Sequence, residues 1–192
     1  MPYQSTKSFS GYSTAIRQWK AGHSHCSSNH GYSFTVHVTF QASELDEMNW
    51  VMDFGAFKRN GLKEYLDDLL DHTQLIESDD PMRSYFELMQ VEKIAKVHFM
   101  DKMGCEHLAK LIFDKFNQVL LSTEGGRVKA IRVEVFEHEK NSGIYFEDFD
   151  NGVKGWSPDV TSTCGNNNNN FLGGPNKFAN TEAKIVIDDI PD

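Results

Sequence analysis

Cys26, His30 and the pair Asp71-His72 carry the chemistry of this chain. Cys26-Ser27-Ser28-Asn29-His30-Gly31-Tyr32 runs directly into a segment with strand periodicity, and Leu70-Asp71-His72 closes a helical one. A thiol beside a candidate metal ligand, together with a carboxylate next to an imidazole, is equipment for moving protons on a small substrate. The chain therefore reads as an enzyme. A free thiol is mostly protonated at neutral pH, so a cysteine in that role needs a cation, a metal or a histidine nearby. Plainer readings exist for both features. Cys26 could be a small buried apolar residue, and Asp71-His72 a helix C-terminal pair whose imidazolium meets the helix dipole. The polar neighbours of Cys26 at a loop-to-strand entry favour the functional reading.

The elements that must position these groups follow from periodicity. Tyr32, Phe34, Val36, Val38 and Phe40 alternate strictly with Ser33, Thr35, His37 and Thr39, which predicts a half-buried antiparallel strand. His30 falls at the end of its apolar row and His37 on the opposite face. A second strand is predicted with Ile131, Val133 and Val135 inward and Arg132 and Glu134 outward, its inward row running on to Glu137. A carboxylate in that row needs a partner, because an isolated buried charge is very costly. Lys140-Asn141-Ser142-Gly143 reads as a turn into a further strand from Ile144 to Phe149, and Ser5 to Ala15 as a first strand. Two helical patterns lie between the strand pairs. Phe54, Phe57, Leu62, Leu66, Leu69 and Leu70 form one, with Asp53 as its cap. Leu108, Leu111, Ile112, Phe116, Val119 and Leu120 form the other, ending before Gly125-Gly126. The expected order is strand, strand, helix, helix, strand, strand.

Composition bounds the function. With 192 residues, 39% hydrophobic and 12% aromatic, the chain can bury one respectable core. A net charge of -9 without a Lys/Arg block argues against nucleic acid or an anionic membrane as the main partner. The sequence has no apolar run of membrane-spanning length and no apolar stretch after Met1, so a cytoplasmic protein is expected. The three cysteines, Cys26, Cys105 and Cys164, form no spaced framework and are expected as free thiols.

Read in order, the motifs resemble the 6-pyruvoyl-tetrahydropterin synthase and 6-carboxy-tetrahydropterin synthase family over about residues 5 to 147. Phe9 opens the counterpart of its Phe-x-Ala-x-His strand, and Cys26-x-x-x-His30-Gly31-Tyr32 that of its cysteine and His-Gly-His. Trp50-Val51-Met52-Asp53-Phe54 is similar to its hydrophobic-Asp-Phe step, and Leu70-Asp71-His72-x-x-Leu75 to Leu-Asp-His-x-x-Leu. Glu106-x-Leu108-Ala109 matches part of Pro-Thr-x-Glu-Asn-Leu-Ala, and Val135-Phe136-Glu137 with Tyr145 the closing hairpin. The resemblance implies an α+β tunnelling fold, in which an antiparallel four-stranded sheet carries two helices inserted between its strand pairs. Subunits of that fold join edge to edge into a barrel, by family a hexamer with sites between subunits. It also implies a pterin triphosphate substrate, 7,8-dihydroneopterin triphosphate. Glu137 would grip the pterin ring by accepting two parallel N–H bonds, with Glu106 in the same pocket. Cys26 would remove a side-chain proton, and Asp71 would orient His72 as a second shuttle. A 6-carboxy-type lyase of the deazaguanine (queuosine) route is favoured by the short Cys-x-x-x-His spacing.

Departures from the pattern bear on the metal. The family's zinc rests on three histidines, whereas here the first-strand position falls at Ser13 or nearby and the second member of His-Gly-His is Tyr32. Catalytic zinc wants about three protein ligands, so His30 would need His23 and His25 as replacements. Two other readings stay open: a pterin-binding homologue that has lost metal chemistry, and a different pterin lyase or aldolase with a rebuilt metal site. The family-like domain is expected over 1–149. It holds an insertion at about 77–103, with a short helix from Tyr85 to Ala95 and a β-like Val97 to Met100. An extension over 150–192 contains the Asn166 to Asn170 run and a possible strand at Ile185 to Ile187.

Overall fold

The computed structural model describes residues 1–147. In chain order it comprises β1 (Tyr3–Arg17), β2 (His30–Ala42), α1 (Ala56–Arg59), α2 (Leu62–Leu70), β3 (Thr73–Glu77), α3 (Arg83–Val91), β4 (Lys96–Met100), α4 (Cys105–Glu124), β5 (Val128–His138) and β6 (Asn141–Phe146). The strands form one sheet in the order β4-β3-β1-β2-β5-β6. The four expected strands pair antiparallel, as anticipated. The sheet is nevertheless six-stranded and mixed, because β3 adds to β1, and β4 to β3, in parallel. Thr73–Glu77 escapes a periodicity search because all five of its residues are buried, and a strand covered on both faces has no alternation to display. The expected helix and strand of the insertion are α3 and β4. The Asn166 to Asn170 run and Ile185 to Ile187 lie outside the described residues.

Three bulges set the phase of the buried rows. Gly11, at φ 88°, is skipped in the β1–β2 register, so Phe9 and Tyr12 share the inner face although three residues apart. Ile131 is skipped in the β2–β5 register, which corrects the expected inner row to Val128, Ala130, Val133 and Val135. The Asn117 amide of α4 takes both backbone groups of Ala130 at 2.9 Å and fixes β5 beside that bulge. The third bulge is Glu137 itself, skipped between Phe136 and His138 where β5 pairs with β6. The hairpin turn is Glu139-Lys140 rather than Lys140 to Gly143, and β6 begins at Asn141.

The helices cover the inner face. Leu62, Leu66, Leu69 and Leu70 of α2 and Leu108, Ile112, Phe116 and Leu120 of α4 join Phe9, Phe34, Phe40 and Phe57 in one core. The single helix expected from Phe54 to Leu70 is two, because Asn60 and Gly61, the latter at φ 78°, break it. The N-cap is Gly55, without a side-chain cap, rather than the expected Asp53; the Asp53 carboxylate instead accepts from Gly55 N–H at 2.8 Å ahead of the helix and pairs with Arg59. Gly125 closes α4 in the left-handed conformation, as expected. The insertion has a small core of its own, in which Ile76, Phe86 and Val97 pack together.

Candidate active site

The end of β1, the starts of β2 and β3, the end of β5 and the first turn of α4 meet at one end of the sheet. Thr14 pairs with Tyr32 on one side and Thr73 on the other, so these three residues form a row across β2, β1 and β3. The C-terminal carbonyls of α2, which lack helical partners, are taken by two hydroxyls: Thr14 donates to Leu70 O, and Thr73 to Leu69 O at 2.9 Å. That anchorage fixes the residues that follow. Asp71 leaves the helix extended and His72 turns left-handed at φ 54°. Asp71 Oδ1 lies 3.0 Å from His72 Nδ1, so the pair read from the sequence is formed. The imidazole is 84% exposed in the single chain.

Cys26 is half-buried in a short helical turn after β1. Its N–H bonds Ser24 Oγ at 3.2 Å and its carbonyl accepts from Gln18 N–H at 2.9 Å. His30 follows with Nδ1 2.8 Å from Ser28 O, and since a carbonyl only accepts, Nδ1 carries the proton. Nε2 is buried and, among the described residues, has no hydrogen-bond partner. This is how an imidazole is held when its other nitrogen binds a metal.

Among the described residues, no further zinc ligands stand beside His30. The Gly11 bulge turns Ser13 outward, and the inward residue opposite Tyr32 is Thr14. His23 and His25 are exposed. Among the described residues no three His, Cys, Asp or Glu side chains come together to hold a metal ion. His30 suits zinc, but the residues around it do not fit the three-ligand site that the resemblance implies.

Glu137 is the acid of the cluster. Its bulge interrupts the inner row and re-aims the side chain, a common use of bulges beside active sites. Among the described residues it makes no ion pair with a lysine or arginine; its nearest influence is on the Cys105 thiol, which its charge pushes up. Burial, then Glu137, then Glu106 push that thiol up, against a smaller opposing pull from the Gly143 N–H. Cys105 is at the same time part of the buried core. Tyr32 joins the acid to the loop: burial raises its phenol first, followed by Glu137, Cys26 and Cys105. Its ring meets His30 edge-on at 5.0 Å. Glu106 is exposed on the first turn of α4, and Gly104 separates its carboxylate from the Gln18 amide.

The structure thus brings Cys26, His30 and Glu137 to bear on Tyr32, with Glu106 next to Cys105 and Asp71-His72 in the turn that enters β3 at the same end. Sequence reasoning placed Tyr32 in the inner row of β2 and otherwise noted it as a lost ligand. Its position between cysteine and acid needs the β2–β5 pairing, which no local motif encodes.

Similarity searches agree with this architecture. In solved structures the chain resembles an uncharacterized protein from Wolinella succinogenes at 19% identity and a TM-score of 0.65, covering 77% of this chain and 99% of that one. It resembles the Caenorhabditis elegans 6-pyruvoyl tetrahydropterin synthase at 17% identity and a TM-score of 0.53, covering 77% and 97%. The 6-pyruvoyl tetrahydropterin synthase from Plasmodium vivax matches at 13% identity and 0.56, covering 78% and 99%. At these identities the likeness concerns the fold. A search of curated proteins found no match. The model of the family described as 6-pyruvoyl tetrahydropterin synthase matches residues 6–148, and the chain belongs to that family.

Proposed function

We propose that this chain is a lyase acting on the side chain of 7,8-dihydroneopterin triphosphate, of the 6-carboxy-tetrahydropterin synthase type. The observation that carries this reading is Glu137: a bulged carboxylate that bears on the Cys105 thiol, has no basic partner among the described residues, and shares its influence on the Tyr32 phenol with Cys26. Such a carboxylate is free to accept the paired N–H groups of a pterin ring. Cys26 is placed to take a proton from the substrate side chain, and His72, oriented by Asp71, to move a second one. The openness of His72 and, among the described residues, the unpaired outer edges of β4 and β6, the latter with Ile144 and Phe146 exposed, support a homo-oligomer in which a neighbour closes the site.

A second reading, a pterin-binding homologue without metal chemistry, is favoured by Thr14 and Tyr32 where imidazoles would be needed. One experiment separates the two. The purified protein and its Cys26→Ala variant are incubated with dihydroneopterin triphosphate, and products are identified by mass spectrometry. The lyase reading expects a 6-carboxy product that the variant does not form. Binding of the substrate without turnover would establish the second reading, and absence of binding would refute both.

A further inference from the structure

We propose that Arg17 and Asp80 are positioning residues for Cys26, and that the insertion after β3 serves to hold the cysteine turn. This rests on the reading of Cys26 as the reacting thiol. Arg17 is the last residue of β1. Its guanidinium does two things: Nε donates to Ser27 O at 2.9 Å, and Nη1 pairs with Asp80 Oδ1. The Asp80 side chain is wholly buried, and its Oδ1 also accepts the Met82 N–H at 2.8 Å. The fork of a guanidinium suits such double duty, since its donors are rigidly spaced. Ser27 adjoins Cys26, and the Cys26 carbonyl is itself bound by Gln18 N–H. The carbonyls of Cys26 and of the residue after it are therefore gripped by successive residues at the β1 exit.

Further ties run between the same two segments. Trp19 Nε1 donates to Asp79 at 3.1 Å, Lys20 pairs with Asp79 at 2.8 Å and Glu77 at 3.2 Å, and Gln74 bonds Asn29 at 2.8 Å. Lys20, Asp79 and Trp19 are surface contacts of small individual value. Asp80 differs because it is buried against a single cation. Its partner is 63 residues away in sequence, so the insertion and the cysteine turn are fixed relative to each other.

The test uses Arg17→Lys, which keeps a cation beside Asp80 but removes the Nε–H from Ser27 O, together with Asp80→Asn. Two readouts are taken on folded protein: the rate of Cys26 alkylation by iodoacetamide without substrate, mapped by peptide mass, and kcat and KM for dihydroneopterin triphosphate. Misplacing a reacting group by about 1 Å costs on the order of 10²-fold, so kcat is expected to fall about tenfold or more in Arg17→Lys with KM little changed. The alkylation rate should shift several-fold. Should Asp80→Asn fail to fold, Arg17→Lys decides alone. A folded Arg17→Lys protein with wild-type alkylation and wild-type kcat overturns the proposal. If the wild-type protein does not turn over the substrate, the lyase reading falls separately, and the alkylation rates still decide this one.

Discussion

The strand β6 passes so close to the start of α4 that Gly143 has no room for a side chain. A Cβ built there would stand 2.4 Å from Glu106 N, 2.5 Å from the Cys105 carbonyl carbon and 2.7 Å from Cys105 Cβ. Carbon contacts are comfortable from about 3.5 Å, so Gly143→Ala requires the strand and the helix to separate by about 1 Å. Neither yields easily. The atoms met first are backbone, and α4 is fixed by seven buried residues from Cys105 to Leu120. Overpacking of this kind costs typically 1–3 kcal/mol, and immobile neighbours place this case near about 3 kcal/mol. At about 2–4 °C per kcal/mol for a chain of this size, Tm should fall by about 6–12 °C. The displaced residues are Cys105 and Glu106, the former electrostatically coupled to Glu137, so a loss on the order of 10²-fold in kcat/KM is also expected. Gly61→Ala is the control: its φ of 78° strains any side chain, but nothing lies within 4 Å. It should lose about 1–2 kcal/mol and leave kcat/KM alone. Thermal melts and steady-state kinetics of the two variants decide the matter. A Gly143→Ala protein within about 2 °C of wild type in Tm, with kcat/KM unchanged, would refute the close-packing argument.

Alkaline pH should weaken the fold through Cys105. Burial raises its thiol above the ordinary value of 9.0, so the unfolded chain releases that proton first. Stability is then complete below about pH 9 and falls with increasing pH, by up to about 1.4 kcal/mol per unit for this group. Tyr12 and Tyr65, raised mainly by burial from 10.0, add to the decline at higher pH. Urea midpoints measured from about pH 8 upward should drop less steeply in Cys105→Ala, and an equally steep drop would contradict the assignment. For metal content, elemental analysis after dialysis should find well under one zinc per chain. Thr14→His with Tyr32→His, which places three imidazoles on adjacent inner positions with His30, should raise it toward one. Near-stoichiometric zinc in the unaltered protein would sink that expectation.

Legibility in the sequence followed the regularity of the backbone. Strand β2 was readable because its alternation from Tyr32 to Phe40 is unbroken, and His37 is exposed where the pattern put it. Strands β1 and β5 were readable only in part. One extra residue exchanges the two faces of everything beyond it, and neither Gly11 nor Ile131 announces a bulge on composition alone. The paired Asn60-Gly61 could have been taken as a helix break, and the leucine spacing across it masked the signal.

The same distinction explains which parts of the site were visible. Cys26, His30 and Asp71-His72 belong to short contiguous motifs, so their neighbours in space are largely their neighbours in sequence. Glu137 stands out in the sequence because it extends an inner row, a premise that the register corrects, since its bulge takes it out of that row. Tyr32, Cys105 and Asp80 could not be found this way. Each acts through a partner on another element: Cys105 through a β5 acid, Asp80 through an arginine at the end of β1, and Tyr32 through both the cysteine turn and β5. A carboxylate met in isolation reads as a solvated charge, and only its burial against a single cation distinguishes Asp80 from Asp79 beside it, which remains 59% exposed. Groups that perform chemistry tend to sit in recognisable local sequence, whereas groups that hold them are chosen by the fold and become visible once strands from distant parts of the chain lie side by side.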